Sequence, residues 1–201
     1  MKIKAILFDF DGVLTVDKTG STSITNYISK ECNIPLDLVK SCYYKYNRDL
    51  LIGNITHKDM WQGFCLCIGK SIDFQVLLDS FKHTLLDASI IELVKDLKQY
   101  YSIGMITDNK CDRINEILVH NNLQSYFDVV AISAEQHSGK SHGKIFNYVL
   151  DTLNVEAEEC IFIDNTEKNL IIPHNMGLRT ILFDDETRDS FEFRKQLDLY
   201  L

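Results

Sequence analysis

The sequence predicts an α/β chain: a doubly wound parallel sheet with a helical insertion after its first strand. Three observations lead there. Residues 5–15, Ala-Ile-Leu-Phe-Asp9-Phe-Asp11-Gly12-Val-Leu-Thr15, form a short apolar run that ends in two aspartates one residue apart and a glycine. From about residue 86, apolar runs of strand length alternate with segments of helical periodicity, the pattern of crossover units in a parallel sheet. Residues 18–85 break that rhythm with several helix-like stretches and no strand pattern of similar quality.

The elements follow in order. The apolar run before Asp9 is the first strand. The insertion holds helix-like stretches over 23–32, 37–47, 56–68 and 73–83, with a Gly53-Asn54 turn and Thr56 placed to cap the third. A single crossover rarely needs so many helices. Residues 17–85 are therefore assigned to a small helical domain, and residues 1–16 with 86–201 to the α/β core. Within the core, 88–99 has apolar residues at helical spacing and 101–107 reads as a strand. A helix over 111–121, a strand over 127–132 and a helix over 144–153 follow. Cys160–Asp164 is a strand, 166–176 a helix that Pro173 is expected to kink or restart, and Thr180–Phe183 the last strand.

Composition bounds the function. At 201 residues, 45% hydrophobic and 25% charged, the chain suits one compact domain with a modest insertion. A net charge of −8 argues against a general nucleic-acid or membrane-surface binder, though a local pocket can still be positive. The six cysteines include no C-x-x-C pair and show no metal-ligand spacing with the histidines, so reduced thiols are expected. Asp9 and Asp11 interrupt the N-terminal apolar run too early for a signal peptide, and no apolar stretch approaches a membrane span. These readings lead to an expected cytoplasmic protein, a monomer or homodimer.

Four segments end strands or open helices on what is expected to be one edge of the sheet. Asp9 and Asp11 converge at the first strand's tip, where carboxylates can hold a divalent cation and one can attack an electrophile. With 19 aspartates in the chain, the spacing alone carries little; its context gives it meaning. Met105-Ile106-Thr107-Asp108-Asn109 offers a hydroxyl and free backbone N–H groups to phosphate oxygens; a Thr/Asp helix cap is the structural alternative. Lys140 precedes a helix and could neutralise a phosphate. Ile163-Asp164-Asn165 places oxygen ligands for a hard cation at a strand tip.

In this order the four segments resemble the four motifs of the haloacid dehalogenase (HAD) superfamily, in the phosphatase-like variety with a helical cap after the first strand. The resemblance spans essentially the whole chain and includes the cap stretch from Leu51 to Trp61. It implies a Rossmann-like, HAD-like core and a magnesium-dependent phosphoric monoester hydrolase. Asp9 would be the nucleophile that forms an aspartyl-phosphate, and Asp11 the general acid and then base. Thr107, Asp108 and Asn109 would bind the phosphoryl group, with Lys140 offsetting its charge. Mg2+ would be held by Asp9, the Asp11 carbonyl, Asp164 and Asn165.

Two departures stand out. Asn165 occupies a position where relatives usually carry an acid, which predicts weaker magnesium binding. Ser141-His142-Gly143 replaces the common Pro-Asp-Pro. Asp11 favours phosphoryl transfer over halide displacement, which needs no proton donor. A phosphonatase would need a cap lysine such as Lys30, Lys40, Lys45 or Lys58. A sugar phosphomutase and a non-catalytic phosphate-binding module remain alternatives. The expected substrate is a small phosphorylated metabolite, with Tyr43, Tyr44, Tyr46, Arg48, His57 and Trp61 as candidates to face it.

Overall fold

The computed structural model describes residues 2–201. Strands β1 (Ala5–Phe8), β2 (Ser102–Thr107), β3 (Val129–Ile132), β4 (Cys160–Asp164) and β5 (Arg179–Leu182) form one sheet. Every pairing is parallel and the order is β3-β2-β1-β4-β5. The chain winds outward from β1 to β3, then returns to build β4 and β5 on the other side. The reversal lies between β1 and β4, and ligands bind at the carboxyl ends of the strands at such a point.

The helices of the insertion come before β2. They are α1 (Gly20–Cys32), α2 (Leu36–Leu51), α3 (His57–Ile68) and α4 (Phe74–Lys82). Thr56 caps α3 as expected, in a reciprocal box with Asp59. Such a box satisfies two orphan donors and is worth about 1 kcal/mol. The insertion's two connections to the core lie side by side: Thr15 bridges Leu86, and Val16 N–H donates to the Leu85 carbonyl at 2.9 Å.

The core helices are α5 (Ala88–Leu97), α6 (Cys111–His120), the single turn α7 (Ser133–Gln136), α8 (Gly143–Leu153), α9 (Glu167–Asn175) and α10 (Ser190–Asp198). Alternate strand residues face opposite sides of the sheet. Ile6, Phe8, Met105 and Ile163 pack toward α5 and α6, whereas Leu7, Ile106 and Phe162 pack toward Ile145, Phe146 and Val149 of α8. Burial on both faces explains why these strands read as continuous apolar runs.

Two expectations are corrected. Cys42 and Cys67 form a disulfide, with Cα atoms 5.8 Å apart, because α2 and α3 lie side by side; Cys32, Cys65, Cys111 and Cys160 are free. Helix α9 runs uninterrupted through Pro173, which lacks one N–H, while Met176 N–H still reaches the Ile172 and Pro173 carbonyls at 3.1 Å. Helix α10 was not anticipated. It is capped by Asp189 and held by Phe193 edge-on to Phe183, a thin apolar stripe in a polar segment. Among the described residues, no helix is long and apolar enough to cross a membrane.

Candidate active site

Asp9 lies one residue beyond β1, its N–H donating to the Ile163 carbonyl of β4 at 2.8 Å. The backbone then makes a wide turn over residues 10–14, closed by Thr15 N–H on the Phe10 carbonyl at 3.1 Å. Gly12 sits in that turn at φ +84°, and a Cβ there would lie 2.3 Å from Asn165 Nδ2. Only glycine tolerates both the dihedral and the contact.

A buried charge cluster is assembled at the switch point. Lys140 Nζ lies 2.9 Å from Asp9 Oδ1 and 2.6 Å from Asp164 Oδ2. Asp164 Oδ1 also accepts Thr166 N–H at 2.8 Å. Asp108 pins the loop that carries the lysine by accepting Lys140 N–H at 2.9 Å. Asp108 is therefore not the cap of α6, whose N-cap is Lys110 with no side-chain cap bond. Burial pushes the Asp9 carboxyl up to about 7; Lys140 opposes this, while the Asp164 and Asp11 charges reinforce it. Burial pushes the Lys140 ammonium down, but Asp9 and Asp164 outweigh it and hold the group above the ordinary lysine range. The cluster thus holds more negative than positive charge.

A hard cation fits that excess. Asp9 Oδ2, the Asp11 carbonyl and Asn165 Oδ1 accept no hydrogen bond among the described residues. Such oxygens suit magnesium. Among the described residues no three acidic, histidine or cysteine side chains are grouped to hold a metal, and Asp164 is committed to Lys140. Asn165 is itself held by its Nδ2, which donates to Asp185 Oδ2 at 2.8 Å.

Asp11 faces a different partner. Arg113 of α6, with no exposed surface, donates from Nη2 to Asp11 Oδ1 at 2.8 Å and from Nη1 to Asp11 Oδ2 at 2.9 Å. Asn109 Nδ2 donates to the same Oδ2 at 2.7 Å and to Thr107 Oγ1 at 3.2 Å. Beside this pair, Lys110 is buried without a carboxylate partner among the described residues. Its Nζ donates to Ser21 Oγ at 3.0 Å and lies over the Tyr43 ring. Burial, aided by the Arg113 charge, pushes Lys110 down to about 7.

A cleft of about 330 Å³ opens between the core and the insertion. Of the residues expected in the site, Asp9, Asp11, Thr107, Asp108, Lys140 and Asn165 line it, while Asn109 and Asp164 stand behind them. Of the candidates in the insertion, Tyr44 lines it. Tyr43 and His57 are instead buried in a chain to the core: the Tyr43 hydroxyl donates to His57 Nε2 at 2.8 Å, and His57 Nδ1 donates to Asp112 at 2.7 Å. Burial pushes that imidazole below its ordinary value, which fits a neutral ring with its proton on Nδ1. Trp61 is buried against Phe64, and Arg48 is exposed.

Sequence reasoning missed Lys110, Arg113, Ser21 and Asn47, the last of which lines the cleft and accepts from Ser21 Oγ at 2.9 Å. A signal for two of them was present. Lys110 and Arg113 stand at the start of a helix, where the dipole disfavours cations, so their presence needs another cause.

Comparison with known proteins places this geometry in a family. The chain matches the family model described as haloacid dehalogenase-like hydrolase over residues 6–183. It is 26% identical over 186 residues to a glyceraldehyde 3-phosphate phosphatase of Methanocaldococcus jannaschii, covering 89% of this chain and 73% of the relative. It is 25% identical over 190 residues to pyrophosphatase PpaX of Bacillus mycoides, covering 90% and 83%. Its fold superposes at a TM-score of 0.73, with 20% identity, on a HAD family enzyme of Bacteroides thetaiotaomicron in complex with magnesium and inorganic phosphate, covering 96% of this chain and all of that one.

Proposed function

This chain belongs to the haloacid dehalogenase-like hydrolases, and from that premise we propose that it is a magnesium-dependent phosphatase acting on small phosphorylated metabolites through an aspartyl-phosphate at Asp9. The observation that carries this reading is the buried contact of Lys140 with both Asp9 and Asp164 beside a cleft that Asp11 and Thr107 also line. In the first step an Asp9 oxygen attacks phosphorus. The ester P–O bond breaks, and the leaving oxygen takes a proton from Asp11. In the second, water attacks the phosphorus of the aspartyl-phosphate and gives its proton to Asp11. The P–O bond to Asp9 breaks and the electron pair returns to the carboxylate. Thr107 Oγ1 and the backbone N–H of Asp108 hold the phosphoryl oxygens, and Lys140 offsets the charge on Asp9. Asp9, the Asp11 carbonyl and Asn165 would hold magnesium, with Asp164 behind them. Bound there, it would supply positive charge between an anionic nucleophile and an anionic substrate. The insertion acts as the cap that encloses the substrate.

A panel of phosphorylated metabolites and p-nitrophenyl phosphate, read with magnesium against an Asp9→Asn control, tests the assignment. Turnover no higher than the control across metals and substrates would favour a phosphate-binding module instead.

Asn165→Asp is expected to lower the magnesium concentration for half-maximal activity about tenfold, because it adds a charged ligand. In chelator the same variant should melt at a lower temperature, since the new carboxylate would face Asp185, whose Oδ2 now accepts from Asn165. An unchanged magnesium requirement would remove Asn165 from the metal site.

Lys110 supports a substrate that carries a second anionic group. A buried ammonium bonded to one hydroxyl, on the cleft wall, lacks a counter-charge that such a group would supply. Lys110→Met should raise KM for these substrates 10- to 100-fold more than for p-nitrophenyl phosphate. Lys110 is protonated below about pH 7 and neutral above it. The wild-type preference for the doubly anionic substrate should therefore fade as pH rises through that value, and the variant should show no such limb. A pH-independent preference would remove Lys110 from substrate binding.

A further inference from the structure

Asp11 has both carboxylate oxygens engaged by N–H donors, and that arrangement carries a consequence for the two half-reactions. Arg113 meets Asp11 through a two-pronged fork, a geometry that fixes the plane of a carboxylate as well as its position. Asn109 adds a third donor and itself accepts from Arg113 Nη1 at 3.1 Å. These three bonds use Asp11 as an acceptor and set the direction of its remaining lone pair.

The fork is held from three sides. The Phe10 ring lies 5.6 Å from the guanidinium carbon. Gly20, the first residue of α1, lies so close that a Cβ on it would stand 2.3 Å from Arg113 Cζ and Nη1. One residue before Arg113, Asp112 receives the buried His57 of the insertion. Arg113 Nε is buried with no hydrogen-bond partner, so the side chain is packed for what its two terminal nitrogens do. A buried Arg with one carboxylate partner is strongly unfavourable once that partner leaves.

We propose that Arg113 is a positioning residue that holds Asp11 as an oriented carboxylate, the base for the second half-reaction, and that the start of α1 holds Arg113 in place. The proposal rests on the phosphatase reading. In that half-reaction Asp11 accepts the proton of the attacking water, and an acceptor whose lone pairs are aimed by a rigid fork is ready for it. In the first half-reaction Asp11 must donate, and with an activated leaving group that donation matters little. The second half-reaction is therefore the step that depends on the fork.

The test separates the two half-reactions. Arg113→Lys keeps the charge and loses the fork. Gly20→Ala keeps Arg113 and pushes the guanidinium from the insertion side. Both are assayed with 2,4-dinitrophenyl phosphate and magnesium, after thermal melts establish that they are folded. Each is expected to release dinitrophenol in a burst stoichiometric with enzyme and then turn over slowly, with kcat down about 100-fold and kcat/KM down less than 10-fold. Phosphoenzyme should be trapped by acid quench in both variants and not in Asp9→Asn. The split arises because kcat/KM reports phosphoenzyme formation, whereas kcat reports its breakdown. Equal losses in kcat and kcat/KM with no burst in the folded variants would overturn the proposal. So would wild-type kinetics in Gly20→Ala together with Arg113→Lys that loses activity only by unfolding. A wild-type enzyme with no turnover above Asp9→Asn would instead remove the phosphatase reading beneath it.

Discussion

Asp9→Asn is expected to abolish phosphatase turnover, with kcat down about 10,000-fold or more, and at the same time to stabilise the metal-free protein. The first effect follows from removal of the attacking oxygen, because an amide cannot form the phosphoenzyme and the other site groups do not replace a nucleophile. The second follows from the electrostatics of the cluster. Burial and the Asp164 charge lift the Asp9 carboxyl to about 7, above its value in an unfolded chain, so folding favours its protonated form. A raised carboxyl pKa contributes stability that is fully present below about pH 4 and is lost as pH rises through about 7. Asparagine removes that loss. In chelator, melts of wild type and variant should lie close together at pH 5 and separate at pH 8.5, with the variant more stable by an amount on the order of 2 kcal/mol. A variant that turns over substrate at wild-type rates would end the assignment of Asp9. A gap that narrows as pH rises would contradict the electrostatic reading.

How far the sequence reached depends on how local the signal was. β1 to β4 were legible because each is a largely buried apolar run, and β4 matches its expected bounds residue for residue, whereas the edge strand β5 buries only Ile181. Thr56 was legible as a cap because its partner Asp59 lies three residues away. Asp9, Asp11, Thr107 and Asp164 were legible because each follows or ends a strand, so one rule of parallel sheets collects them; Lys140, between α7 and α8, was singled out for the charge it could bring to a phosphate beside the carboxylates. What was missed depends on distance in the chain. The sequence gives no reason for Arg113 to choose Asp11, for Lys110 to meet Ser21, or for Cys42 to pair with Cys67. Those contacts belong to the folded chain: Arg113 and Asp11 meet within the core, Cys42 and Cys67 within the insertion, and Lys110 and Ser21 across the two. Asn109, expected at the phosphate, shows the same limit: its amide is spent on Asp11 and Thr107, partners that a linear reading cannot supply.

Lys140→Met is expected to destabilise the fold by about 3–5 kcal/mol at neutral pH and to remove activity with it. Lys140 is buried between two carboxylates that are themselves buried, and it is the cation bonded to both. With the ammonium gone, Asp9 and Asp164 would face each other with no cation bonded to either, and one of them would have to take up a proton to remain inside. The loss of stability and the loss of catalysis have different origins, and a second substitution separates them. Lys140→Met/Asp164→Asn removes one of the two opposed charges, so its melting temperature should recover a large part of the gap. Its activity should not recover, because nothing then offsets the charge that Asp9 and the phosphoryl group bring together. Thermal melts in chelator and turnover with magnesium measure the two losses independently. If Lys140→Met melted with the wild type, the buried cluster would not depend on its lysine. If the double variant regained turnover, Lys140 would serve the fold and not the reaction.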